Sequence, residues 1–189
     1  MNPIYTIFHY KNLRPIKDKI VDNIINLNIL NLLYKPQRDT PAHKIYTVMR
    51  TDMCEIDNGI YLGSSWNAAD YYSLFDNNIE SILNVTYEIS NYFVDYFTYL
   101  QVPIKDVSGS SITSQLSTCY EYINSQIKAN KRVFIHCFAG SSRSVAVAIY
   151  WLMKSKQISF DEAYMIIKSK RSVCSLNMGY KRELENINI

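Results

Sequence analysis

The hydrophobic pattern of the chain changes period several times. Between residues 16 and 33, Ile16, Ile20, Ile24, Leu27 and Leu30 recur at steps of four, four, three and three, the period of one helix face, and Pro15 suits a first helical turn. A polar connector with two prolines, YKPQRDTPAHK, follows. From Cys54 onward the punctuation tightens. CEIDNGIYLG predicts a short hairpin turning at Asp57, Asn58 and Gly59, SSWNAADYYSLFDNN a capped helix, and IESILNVT and FTYLQVPI two strands. SQLSTCYEYINSQIKANK predicts a further helix. Val133, Phe134 and Ile135 then form the unbroken apolar run of a strand buried on both faces, and a second buried element, a helix, runs from Ser142 to about Lys154. SFDEAYMIIKSKR and NMGYKRELENIN predict two closing helices. Strands alternating with helices predict an α/β domain with a central, mostly parallel sheet flanked by helices.

Length and charge narrow the picture. A chain of 189 residues buries one good core and has no room for two sizeable domains. We therefore expect an N-terminal extension over residues 1–52 and a single domain over 53–189. The apolar face of residues 16–33 packs either on this domain or on a second copy of the chain, which would make a homodimer. The formal net charge of +3 comes from scattered Lys and Arg, which predicts neither a nucleic-acid nor a membrane partner. The longest apolar run, 145–153, is far too short to span a bilayer, and the expectation is a soluble, cytoplasmic protein. The four cysteines, Cys54, Cys119, Cys137 and Cys174, contain no C-x-x-C pair. His9 and His43 lie apart from any acidic or cysteine cluster, so no metal and no cofactor are expected.

The candidate chemistry lies between the buried strand and the buried helix, in HCFAGSSRS. A loop from Cys137 to Arg143 that enters a helix can turn successive backbone amides toward one point and make an anion site suited to a phosphate dianion. The groups that would line it are Phe138, Ala139, Gly140, Ser141, Ser142 and Arg143, with Gly140 allowing the bend. Arg143 adds a planar fork able to grip two phosphate oxygens. Cys137 would lie beneath the phosphate, in a field that also favours a thiolate. A cysteine at a helix N-terminus beside a cation titrates at roughly 3.5–7.5 rather than ~8.5. The implied reaction is covalent phosphoryl transfer, with the amides and Arg143 supplying the stabilisation that a cation supplies elsewhere.

A departing alkoxide or phenoxide needs a proton, which predicts a carboxylic acid on a separate, moving loop. Asp106, at a strand end in KDVSGSSIT, is the candidate, and an ordinary loop or N-cap aspartate is the alternative from position alone. Ser144 is placed to donate a hydrogen bond to the cysteine sulfur and help it leave, or to serve the helix start. His136 reads as a partly buried group tied to backbone and tuning the loop rather than as a base.

HCFAGSSRS matches H-C-x-x-G-x-x-R-[S/T], the signature of cysteine-dependent protein phosphatases. Its five fixed positions would coincide by chance in about one in ten thousand chains of this length. The surrounding segments resemble the dual-specificity phosphatase family. NGIYLGSSWNAAD resembles its entry strand and first helix, IESILNVT its I-x-x-I-L-N-V-T strand, and FDEAYMIIKSKR and SLNMGYKREL its C-terminal helices. VPIKD resembles the segment that ends in the family's general acid, which implies that role for Asp106. The likeness covers roughly residues 53–186 and implies the protein-tyrosine-phosphatase-like fold and phosphoprotein substrates. It departs at Ser172 and Leu176, where the family patterns KSRRP and SPNFGF carry proline. The extension is too short for the docking domain of kinase-directed members, so the chain resembles the small atypical members, including viral ones. In poxviral members an N-terminal helix contributes to dimerisation.

Two other functions share this loop or its fold. An RNA 5′-phosphatase or phosphoinositide phosphatase keeps the cysteine chemistry, although lipid-directed loops usually carry lysines where this chain has the uncharged FAGSS. A pseudophosphatase binds phosphoproteins without turnover and usually lacks the cysteine or arginine retained here. The remaining cysteines read as small core residues, with a reversible disulfide to Cys137 as the alternative.

Overall fold

The computed structural model describes residues 44, 47–107 and 109–188. The apolar stripe of residues 16–33, and with it the dimer expectation, lies outside the described residues.

Five strands form one sheet in the order β1-β2-β5-β3-β4. Strands β1 (Cys54–Asp57) and β2 (Ile60–Gly63) make the predicted hairpin, turning at Asn58 and Gly59, and Gly59 takes φ +77°. The other neighbours are parallel. Strand β5 (Arg132–His136) lies between β2 and β3 (Ile79–Asn84), and β4 (Thr98–Gln101) closes the far edge. The sheet is therefore parallel except for its first strand, as the alternation of strands and helices predicts.

Residues 133–135 alternate across this sheet. Val133 and Ile135 join the main apolar core with Leu62, Leu83 and Val85, while Phe134 and His136 face the other way with their rings stacked at 5.6 Å. The main core is capped by helices α3 (Thr113–Lys128), α4 (Arg143–Lys156), α5 (Phe160–Lys170) and α6 (Met178–Glu185). Helix α4 is buried almost all round, from Val145 to Met153, which explains why its sequence shows an apolar run rather than a stripe.

Two elements differ from expectation. The helix predicted over SSWNAADYYSLFDNN is two short ones, α1 (Ser65–Ala68) and α2 (Tyr71–Asp76). Asp70 stops the first and starts the second, its side chain accepting from the Ser73 amide at 3.0 Å. Strand β4 ends at Gln101, with one further ladder bond from the Val102 amide to the Asn84 carbonyl at 2.8 Å before Pro103, which has no amide hydrogen. Among the described residues no helix is long and apolar enough to cross a membrane.

Register decides where the chemistry can sit. Gly63 and Asn84 both lie opposite His136, and Gln101 lies opposite Asn84, so the four parallel strands end together. The segments that follow them, beginning at Ser64, Val85, Val102 and Cys137, emerge along one edge. In an open parallel sheet that edge is where ligands bind.

Candidate active site

Cys137 follows β5 directly and is almost completely buried. Two donors reach its sulfur: the Gly140 amide at 3.3 Å and the Ser144 hydroxyl at 3.2 Å. The predicted neighbour of the cysteine is thus in contact with it.

The loop's carbonyl groups are held from outside. Phe138 O accepts from the Ser65 amide and the Ser65 hydroxyl, both at 3.0 Å. Gly140 O accepts from Arg171 Nε at 2.7 Å, and Ser141 O from the Ser175 amide at 2.9 Å. A trans peptide points its N–H opposite to its carbonyl. Pinning these carbonyls therefore turns the amides of Ala139, Ser141 and Ser142 away from Ser65, Arg171 and Ser175 respectively. Gly140 is required twice over. Its φ is +68°, and a β-carbon there would stand 2.5 Å from the Gly63 backbone.

Arg143 opens α4 with its side chain 5% exposed, between two carboxylates. Glu88 takes both terminal nitrogens, Nη1 to Oε2 at 2.8 Å and Nη2 to Oε1 at 2.5 Å, and Nη1 also donates to the Ile104 carbonyl at 3.1 Å. Nε forms no hydrogen bond within the described residues and lies 3.6 Å from Asp106 Oδ2. Glu88 thus occupies the end of the fork, which leaves the Nε side edge for an anion. Burial pulls the guanidinium pKa down, but the hydrogen bonds to Glu88 and the nearby Cys137 and Asp106 outweigh it and raise the value. For Glu88, burial pushes the carboxyl up, and the bonds from Arg143 overcome that and hold it below its ordinary value.

Asp106 lies five residues beyond the last residue of β4, exposed, with its carboxylate turned to the loop. Oδ1 accepts from the Ser142 hydroxyl and from Asn177 Nδ2, both at 3.2 Å. The same Ser142 oxygen accepts from the Asn177 amide at 3.1 Å. Of the five residues singled out as catalytic candidates, Cys137, Ser144, Arg143 and Asp106 are brought to one place. His136 stands behind it. Its Nδ1 lies 3.4 Å from the Cys137 carbonyl, and Nε2 is buried without a partner among the described residues. Burial pulls its pKa down to about 4, so the ring is neutral at neutral pH, with Nδ1 facing a carbonyl oxygen that can only accept.

Three functional groups escape sequence reading. Glu88 falls between strands in NVTYEIS, four residues past Asn84, where only the shared strand ends bring it to Arg143. Arg171 is fully buried, donating to Gly140 O and, through Nη1, to the Asp52 carbonyl at 2.8 Å. In sequence it looks like one more surface cation at the end of a helix. Asn177 joins the helix start to both Asp106 and Ser142, a junction between elements that no local pattern announces.

Residues 60–188 match the family model described as the catalytic domain of dual specificity phosphatases. The chain belongs to that family. Among curated members of the dual specificity phosphatases and their relatives, it is 34% identical over 131 residues to a Slingshot homolog protein phosphatase of Xenopus laevis, covering 69% of this chain and 19% of that protein. It is 32% identical over 130 residues to dual specificity protein phosphatase 1 of Mus musculus, covering 69% of this chain and 35% of the other. The chain therefore spans about a third or less of the length of these relatives. The fold resembles that of the human tyrosine phosphatase-like serine/threonine/tyrosine-interacting protein, with a TM-score of 0.68, 26% identity and coverage of 72% and 95% of the two chains. For human DUSP28 the TM-score is 0.68 at 22% identity, covering 71% and 91%, a likeness of fold alone.

The two positions where this dual specificity phosphatase domain lacks the family's prolines lie in the segment between α5 and α6. There Lys168 Nζ donates to the carbonyls of Ser172 at 2.6 Å and Cys174 at 2.7 Å, and the Ser175 amide reaches Ser141. These bonds hold the loop's path without the fixed φ of proline.

Proposed function

We propose that the chain is a protein phosphatase, removing phosphate from phosphotyrosine and from phosphoserine or phosphothreonine through a phosphocysteine. The observation that carries this reading is the sulfur of Cys137 receiving both the Gly140 amide and the Ser144 hydroxyl, inside a loop whose carbonyls are tied outward.

In this reading, residues 53–189 form the catalytic domain. The substrate's phosphate is held by the amides of Phe138 to Arg143 and by the Nε edge of Arg143. Cys137 attacks phosphorus, forming the S–P bond as the bond from phosphorus to the leaving oxygen breaks, and Asp106 gives that oxygen its proton. Asp106 then takes a proton from water, which attacks phosphorus and displaces the sulfur, releasing inorganic phosphate. The Ser144 hydroxyl, 3.2 Å from the sulfur, stabilises the thiolate as it departs. His136 stays neutral and orients the Cys137 carbonyl as a positioning residue. Substrate is a cytoplasmic phosphoprotein, and the apolar stripe of residues 16–33 packs either on its own domain or on a second copy, two readings that sedimentation with and without residues 1–52 separates.

Initial rates on matched phosphotyrosine and phosphothreonine peptides, a 5′-triphosphate RNA and a phosphoinositide test the substrate class. Turnover of both peptides supports the proposal. RNA or lipid turnover with inert peptides overturns the substrate class and keeps the chemistry, while binding of phosphopeptide without turnover would make the chain a pseudophosphatase.

A further inference from the structure

Helix α6 and its N-cap present side chains at 177, 180 and 183, a spacing of three that puts them along one side of the helix. Each holds a different part of the segment that carries Asp106. Asn177 Nδ2 donates to Asp106 Oδ1 and to the Val107 carbonyl, both at 3.2 Å. One turn later, the Tyr180 hydroxyl donates to the Lys105 carbonyl and lies 3.1 Å from Ser110 Oγ, which reaches the same carbonyl at 2.7 Å. The Tyr180 side chain is fully buried, and burial pushes its phenol up, so it remains a donor.

A further turn brings Glu183. Its Oε2 accepts from Ser111 Oγ at 3.0 Å, the Ile112 amide at 2.9 Å, the Thr113 amide at 3.0 Å and Thr113 Oγ1 at 2.6 Å. These amides begin α3, whose N-cap residue, Ile112, has no side chain able to serve them. A carboxylate from another helix does so instead, at the end of α3 where negative charge is favoured. Burial pushes the Glu183 carboxyl up, but the bonds from Thr113, Ile112 and Ser111 overcome it and keep the group below its ordinary value. Asp106 is consequently anchored on both sides, at Lys105 before it and at 110–113 after it. The Val107 carbonyl accepts from the Ser110 amide at 3.1 Å, closing a turn in which Gly109 takes φ +81°.

We propose that Tyr180 and Glu183 are positioning residues for Asp106: they hold its segment against α6 so that the carboxyl already stands beside Arg143 and Ser142 when substrate arrives. This rests on the general-acid role proposed for Asp106. It replaces a loop that closes on substrate with one held in advance, and misplacing a reacting group by about 1 Å costs on the order of a hundredfold in rate.

The test uses the full chain with Tyr180→Phe, which removes one hydroxyl and keeps the ring in the core, and Glu183→Gln, which keeps the shape and removes the charge. For each, kcat is measured on aryl phosphates spanning good to poor leaving groups, alone and combined with Asp106→Asn. Tyr180→Phe should lose roughly tenfold on the poorest leaving group and less than about twofold on the best, with no further loss when Asp106→Asn is present. Glu183→Gln should move the same way. Equal loss on all leaving groups, loss that adds to Asp106→Asn, or an unchanged Tyr180→Phe overturns the proposal. If Asp106→Asn itself shows no dependence on the leaving group, the general-acid role fails and this inference with it. If Asp106→Asn shows the dependence and Tyr180→Phe does not, only the positioning role is lost.

Discussion

Removing Glu88 tests how Arg143 is aimed. The side chain of Arg143 is 5% exposed and that of Glu88 29% exposed, with the carboxylate on both terminal nitrogens at 2.8 and 2.5 Å. In Glu88→Ala the guanidinium keeps only the Ile104 carbonyl on Nη1 and the flank of Asp106 near Nε. Truncating one partner of a fully buried pair costs about 3–5 kcal/mol. Glu88 is partly open to water, which screens and replaces some of what is lost, so about 1.5–3 kcal/mol of positioning is the reasonable range, the worth of a hydrogen bond to a charged group. At 1.36 kcal/mol per tenfold this predicts a loss of about 10- to 150-fold in kcat/KM. The assay is steady-state turnover of a phosphotyrosine peptide together with inhibition by vanadate, whose oxygens stand in for the transferring phosphoryl group. Both should weaken, and Glu88→Gln, which keeps one acceptor, should fall between. The opposite reading is that Glu88 competes with phosphate for Arg143. Tighter vanadate binding or faster turnover in Glu88→Ala would establish that and refute the reasoning above.

Other perturbations have separable outcomes. Asp106→Ala should lower kcat by roughly 10²–10⁴ at the optimum, and a pH profile unchanged from the parent would mean another residue is the acid. Gly140→Ala should abolish vanadate binding, since φ is +68° and the new methyl would stand 2.5 Å from the Gly63 backbone; binding at parental strength would show the loop free to shift. His136, held neutral with its pKa depressed to about 4, leaves stability intact above pH ~6.5 and withdraws it as the pH falls from there toward about 4, because the unfolded chain takes up the proton first. His136→Asn should remove that part of the slope, up to about 1.4 kcal/mol per pH unit in urea denaturation, and an identical slope would mean that His136 does not set it.

What could be read from the sequence was local. Cys137, Gly140, Arg143 and Ser144 lie within eight residues between an apolar strand and an apolar helix, so spacing alone assembles them. The sheet was legible because strand and helix periods alternate. Asp106 was a candidate from its place at a strand end, but only the family likeness chose between an acid and an ordinary loop aspartate, since position does not show that Ser142 and Asn177 face it. The single helix expected at 64–78 failed at Asp70, whose carboxylate caps a new helix where periodicity runs on unbroken. Glu88, Arg171 and Tyr180 were out of reach for a common reason. Each acts across 31 or more positions of chain, on Arg143, Gly140 and Lys105 respectively, through contacts set by sheet register and helix packing. Tyr180 even stands where the pattern SPNFGF has phenylalanine, so the likeness to the family hides the hydroxyl that does the holding.

The most direct measurement is to quench the chain during turnover of a phosphopeptide and locate phosphate on the protein by mass spectrometry, with Cys137→Ser alongside. Phosphate is expected on Cys137 in the parent, and neither phosphoprotein nor turnover with Cys137→Ser. Sustained turnover by Cys137→Ser, or release of phosphate with Cys137 never labelled, would contradict the phosphocysteine mechanism.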